Sequence, residues 1–187
     1  MARPARLTKT GLAEKLSPVF ERYGYDGASL SMLAAATGLS KASLYHHFPR
    51  GKEDMALYAL AHAGARLQKL ILAPLAGKDD PRDRLEASLA GTGRYYGGDI
   101  PHCLMNSLLL GEGRVLFADR IATAVTAWRQ GLMAALSDSG VLGAEADSWA
   151  REMIERIQGA LVLCRVSGTR EPLETCLDAL ISELPLS

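Results

Sequence analysis

The sequence predicts an all-α fold, on three observations. Apolar residues recur at three- and four-residue steps along almost the whole chain, the period of one helix face. No run alternates apolar and polar residues as a half-buried strand would. Glycine, proline and serine punctuate the chain at helix-length intervals, where caps and stops belong. With 187 residues, 48% of them hydrophobic, the chain is long enough to bury a sizeable core as one domain or two small ones.

The elements follow in order. Leu12, Leu16, Val19, Phe20 and Tyr23 mark one face of a helix from about residue 7 to 23, ended by Gly24. Ser29 caps a short helix bearing Leu30, Leu33 and Ala34, which stops at Thr37-Gly38. Ser40 caps a second short helix, Lys41 to Phe48, closed by Pro49. Only Gly38-Leu39-Ser40 separates the two, the length and composition of a helix-turn-helix connection. A longer helix spans about 52–75, stopped by Pro74 and Gly77, and another about 81–96, opened by Pro81. A short apolar segment, 103–110, precedes helices at about 114–138, 144–167 and 171–184.

Charge narrows the function. Lys plus Arg and Asp plus Glu are both 21, so the net charge is zero. That balance hides an asymmetry. Residues 1–52 carry eight bases and three acids, a charge of +5, and the remaining 135 carry 13 bases and 18 acids, a charge of −5. A basic amino-terminal third on an acidic body suits a nucleic-acid reading head joined to a body that does something else. No apolar run approaches the ~18 residues of a membrane span, and no signal sequence opens the chain, so a cytoplasmic protein is expected. Cys103, Cys164 and Cys176 are too few and too widely spaced for a disulfide framework.

Residues 29–52 hold the strongest constellation. The second helix of a helix-turn-helix lies in the major groove, so its outward face needs short polar or basic side chains and its inward face apolar ones. Lys41, Ser43, His46 and His47 suit the outward face, and Leu44 and Phe48, one turn apart, suit the inner one. Tyr45 sets its ring at the core edge and its hydroxyl toward a phosphate, with Ser31 and Lys52 adding phosphate contacts. A helical hairpin with a solvated face looks similar, but turn, basic bias and His-His-Phe-Pro coincide here.

On these residues the chain resembles the TetR family of transcriptional regulators. The resemblance is carried by Phe20-Glu21-Arg22-Tyr23-Gly24-Tyr25, Ser29-Leu30, Gly38 through Pro49 and Lys52-Glu53-Asp54-Met55. The Pro-x-Gly-Lys-Glu corner, one residue longer than the family's commonest form, is similar to that of a subgroup of multidrug-efflux repressors. The resemblance implies a DNA-binding domain at 1–51 and a helical ligand-binding and dimerisation domain at 52–187, with 52–75 connecting them. It implies a homodimeric repressor, not an enzyme, that binds double-stranded operator DNA and a small apolar inducer. By the same resemblance the DNA contacts fall on Ser31, Lys41, Ser43, Tyr45, His46, His47 and Lys52.

Three further sites are expected in the body. An apolar cavity with few charges suits a small-molecule site, and Met105, Leu109, Phe117 and Trp128 are the favoured lining, although such stripes also serve as plain core. Met153, Ile157 and Leu161 share one helix face, and Leu173, Leu177 and Leu180 another, so two helices from each protomer could form an isologous four-helix interface; intrachain core is the alternative. Cys103, near Pro101, suits the first turn of a helix, where a thiol is activated. That leaves a small helical enzyme or a thiol-based redox sensor as the alternative function. No His, Cys, Asp and Glu set has metal-ligand spacing and no cofactor is expected. Gly91-Thr92-Gly93 follows no strand and is not a phosphate loop.

Overall fold

The computed structural model describes residues 8–185; Arg3 and Arg6, two of the amino-terminal bases, lie outside them. Its helices are α1 (Lys9–Gly27), α2 (Leu30–Thr37), α3 (Lys41–His47), α4 (Lys52–Leu67), α5 (Ala73–Leu75), α6 (Pro81–Tyr95), α7 (Leu104–Leu108), α8 (Glu112–Asp138), α9 (Gly143–Ser167) and α10 (Glu171–Ser182), and among the described residues there is no strand. The all-α expectation holds. A π-helical stretch, Gln68–Leu72, runs between α4 and α5.

The chain divides into two compact units. One holds the residues up to Ala65 together with Cys103–Ile121, and the other holds Arg66–His102 together with the residues from Ala122 onward. This division is not the one at 51/52 expected from the sequence. Residues 103–121 join the amino-terminal helices because α1 packs on α7. Ser107 Oγ donates to the Glu21 carbonyl at 2.7 Å, and Asp26 accepts from the Glu112 amide at 3.0 Å. Gly24, with φ +67°, makes the approach possible: a Cβ there would lie 3.0 Å from the Ser107 carbonyl oxygen, and the regular helix breaks at this residue.

In the amino-terminal unit, Thr8, Ser29 and Ser40 cap α1, α2 and α3 by accepting the amides of Gly11, Met32 and Ser43. Gly38, left-handed at φ +72°, ends α2, and the Gly38 and Leu39 amides both return to Ala34. Leu12, Leu16, Phe20, Leu33, Leu44, Phe48 and Met55 fill the core, each fully buried.

In the other unit, the single helix expected over 52–75 carries its π-helical stretch for a physical reason. Pro74 has no N–H to give Leu70, four residues back, and its ring would clash with that carbonyl in a regular helix. The widened turn avoids the clash. The Ser88 hydroxyl of α6 donates to the Ile71 carbonyl at 3.0 Å. Gly91 sits against Leu70 so closely that a Cβ would come within 1.7 Å of its carbonyl oxygen. Buried Arg84 ties the ends of two further helices, donating to the Leu75 and Gly77 carbonyls and to Asp138 at 2.7 Å.

Met153, Ile157, Leu161, Leu173, Leu177 and Leu180 were expected to face a partner protomer. Each is at most 8% exposed within the single chain. The expectation is corrected: α10 packs on both α9 and α6, and these side chains close that core. The outer face of α9 carries instead Val162 (52% exposed), Leu163 (57%) and Val166 (78%).

Candidate nucleic-acid interface

The interface is built on α3. Seven residues make too short a helix to stand alone in water, so packing and caps must hold it. Leu44 and Phe48 anchor its inner side at full burial. Phe48 meets Tyr58 of α4 edge-on, ring centroids 5.4 Å apart. Ser40 closes the first turn, and its hydroxyl lies 2.9 Å from that of Ser43. On the free side Lys41, Ala42, Tyr45 and His46 are exposed, while Ser43 and His47 are half-buried. Ser31 is exposed on α2.

The structure therefore brings Lys41, Ser43, Tyr45, His46 and His47 onto one short helix, with two differences from the expected roles. The Ser43 hydroxyl is engaged by the cap. Ala42, neither polar nor basic, is exposed beside them. At about 100° per residue, Ala42 and His46 each lie about 160° around the helix from Leu44, so they face most directly away from the core.

The corner after α3 absorbs its extra residue. Gly51, at φ +66°, lies under the Tyr45 ring, where a Cβ would be 3.0 Å from a ring carbon. Arg50 curls back so that its amide and Nε both reach the Asp54 carboxylate at 2.8 Å, and its Nη1 reaches Glu53 at 3.1 Å. Lys52 opens α4 half-buried, with Nζ 4.4 Å from the centre of the Tyr25 ring, a cation–π contact that steers the ammonium. Tyr25 in turn meets Phe117 edge-on at 5.3 Å. Burial foremost, then the carboxylates of Glu53, Glu112 and Asp26, holds the Tyr25 phenol above its usual range. Lys9 donates to the Tyr58 hydroxyl at 3.0 Å.

Asp54 is the electrostatic pin of this corner. The Arg50 amide holds its carboxyl below the usual range; the Arg50 side chain and Lys9 add to that, against an opposing effect of burial. A carboxyl with a depressed folded-state pKa adds stability above its unfolded value, about 3.9, and loses it as pH falls through the folded value. Acidification below about pH 4 is expected to loosen this corner. Asp54→Asn should lower the thermal midpoint at neutral pH and make it less sensitive to acid between pH 6 and 2.5; an unchanged acid sensitivity would count against the pin.

The expected ligand lining falls in different units. Met105, Leu109 and Phe117 belong to the amino-terminal unit, where Met105 is 6% exposed, Leu109 half-buried and Phe117 fully buried against Tyr25. Trp128, 1% exposed, belongs to the other. Within that second unit a groove of about 530 Å³ runs between α9 and α10, lined by Arg156, Gly159, Ala160, Leu163, Glu171, Pro172, Thr175, Cys176 and Ala179. Cys103 precedes the five-residue α7 rather than lying in its first turn, and is 3% exposed, sheltered from a dissolved oxidant or substrate. Among the described residues no group of His, Cys, Asp and Glu could hold a metal ion, and no helix is long and apolar enough to cross a membrane.

Comparison with known proteins agrees with this geometry. Residues 18–59 match the family model described as bacterial regulatory proteins, tetR family. Residues 103–179 match the LmrA/YxaF-like transcriptional regulator C-terminal domain. An uncharacterised HTH-type transcriptional regulator of Bacillus subtilis, YxaF, is 24% identical over 161 residues, 84% of each chain. The crystal structure of a TetR transcriptional regulator from Chloroflexus aurantiacus has a TM-score of 0.74 at 26% identity, over 93% of this chain and 92% of that one. A cysteine variant of the TetR-family regulator CifR, solved with a 26-bp operator duplex, shares the fold at TM-score 0.76 and 24% identity, over 98% and 100% of the two chains. The chain belongs to the TetR family of bacterial regulatory proteins, and it is a DNA-binding transcriptional regulator of that type, not an enzyme.

Proposed function

We infer that the protein is a cytoplasmic, homodimeric repressor that occupies a pseudo-palindromic operator until a small apolar inducer releases it. The observation that carries this is α3: a capped, anchored helix whose free side presents Lys41, Tyr45 and His46, the arrangement a helix needs to enter a major groove. The operator bound in the CifR structure supports duplex DNA as the partner. The Pro-Arg-Gly-Lys-Glu corner supports a place among regulators of efflux genes.

Two reading heads are needed to span half-sites about 34–36 Å apart or a multiple of it. The outer face of α9 suits the two-fold contact. Gly159, Val162, Leu163 and Val166 are spaced i, i+3, i+4, i+7, and the apolar groove against α10 continues this face. Exposed valine and leucine in such a stripe mark an interface rather than a solvated surface.

An inducer acts only by its preference between two states of the dimer. Moving the population from 99:1 to 1:99 takes about 5.5 kcal/mol of differential affinity. α4 is the natural lever, since it begins at the Lys52 corner and its last residues belong to the second unit.

Gel retardation of the DNA upstream of the gene, at several salt concentrations, tests the reading. Wild-type protein is expected to retard a fragment with steep salt dependence, and Lys52→Ala to weaken all sequences alike and lower the salt slope by about one. Lys41→Ala and His46→Ala are expected to change sequence preference instead. No retardation of any fragment at low salt would overturn the reading.

A further inference from the structure

We propose that Ala42 is a base-reading residue, its methyl group packing on the C5-methyl of one thymine in each half-site. The proposal rests on the major-groove reading of α3 above and deepens it. Leu44, fully buried, fixes how α3 is turned. The residues two before and two after it, Ala42 and His46, are exposed and one helical turn apart, so they share the stripe that projects furthest from the core. Lys41 and Tyr45 flank that stripe on one side and Ser43 and His47 on the other. When α3 enters a groove, the floor of the groove faces Ala42 and His46, while the flanking residues face its walls.

Chemistry then selects the base. The alanine side chain has neither donor nor acceptor. A guanine, adenine or cytosine edge pressed against it would give up a water hydrogen bond with nothing in return. Thymine alone presents an apolar group in the major groove, its C5-methyl. The neighbour best placed to take over a polar contact, Ser43, already has its hydroxyl 2.9 Å from that of Ser40 and its amide in the Ser40 cap.

The test begins with the full-length protein and a duplex library with a randomised core, from which the enriched site is taken as the probe. Each thymine of that site is replaced singly by deoxyuridine, which removes only the methyl, and affinities are measured for wild type, Ala42→Gly and Ala42→Ser. For wild type, one thymine in each half-site is expected to lose about fourfold on replacement, the value of one buried methyl-sized group. Ala42→Gly is expected to bind thymine and deoxyuridine equally at that position, even though the glycine weakens the helix and binding as a whole. Ala42→Ser keeps better helix-forming capacity and is expected to shift preference there toward a base edge that can share a hydrogen bond. The assignment is overturned if all three proteins show the same thymine-to-deoxyuridine profile, or if the sensitive thymine is unaffected by both variants. A library that enriches no sequence would instead overturn the DNA reading itself, and the assignment with it.

Discussion

Phe48→Ala is expected to cost about 3–5 kcal/mol, the range for a fully buried aromatic side chain truncated in a core. The position magnifies the consequence. α3 has seven residues and Leu44 is its one buried side chain; Phe48, at its end, holds it to α4 through the edge-on contact with Tyr58. Without that ring the helix keeps one anchor and its caps, which together contribute less than the cost of ordering so short a segment. The variant should therefore lose stability and operator affinity together, the thermal midpoint falling by roughly 2–4 °C per kcal/mol. Tyr58→Phe is the informative comparison, since it keeps the ring contact and removes only the hydroxyl that accepts from Lys9. Circular dichroism melts and a binding titration on the same samples check both effects. A loss below about 1 kcal/mol would show that the Phe48 site collapses onto other side chains.

Gly91→Ala is expected to destabilise the second unit, against the usual sign of such a change. Inside a helix, alanine is more favourable than glycine by roughly 1 kcal/mol. Here the added carbon would meet the Leu70 carbonyl oxygen at 1.7 Å. That neighbour is backbone, so no rotamer change relieves the overlap, and α6 must back away from the π-helical stretch. Such overpacking costs about 1–3 kcal/mol or more, and retreat also stretches the Ser88 bond to the Ile71 carbonyl. The net effect should be a loss of at least about 1 kcal/mol. Gly64 on α4 supplies the contrast. A Cβ there meets nothing within 4 Å, so Gly64→Ala should stabilise by roughly 0.5–1 kcal/mol. Equilibrium urea unfolding of the two variants beside wild type decides the matter: opposite signs support the close approach, and a stabilised Gly91→Ala variant refutes it.

Most of the reading head was legible because its signals are local. Ser29, Gly38, Ser40 and Pro49 announce their caps and stops within three or four residues, and the structure places each where the spacing puts it. What the sequence left open depends on partners far along the chain. Nothing near 103–121 indicates that Ser107, Glu112 and Phe117 close onto Glu21, Asp26 and Tyr25, because α7 and the start of α8 read like any other apolar helix. The π-helical stretch did have a signal, Pro74, whose ring excludes a regular turn around Leu70.

Around a helix the sequence distinguishes faces that residue type alone does not. The stripe Met153, Ile157, Leu161 is apolar enough for a dimer face, yet the chain's own core takes it. The neighbouring stripe Gly159, Val162, Leu163, Val166 was the one in excess. On α3 the angle alone sets Ala42 opposite buried Leu44, and it is exposed although it is neither polar nor basic. In both cases position around the helix carried more information than residue type.

In the proposed function, two copies of α3 carried by one dimer read one duplex. Sedimentation velocity of the protein with its selected operator duplex, at low and moderate salt, tests that most directly. A free dimer is expected, with a complex whose mass corresponds to two protomers, or a whole multiple of two, on each duplex, dissociating steeply as salt rises. A complex with a single protomer per duplex, or a dimer that sediments apart from the DNA at low salt, would contradict it.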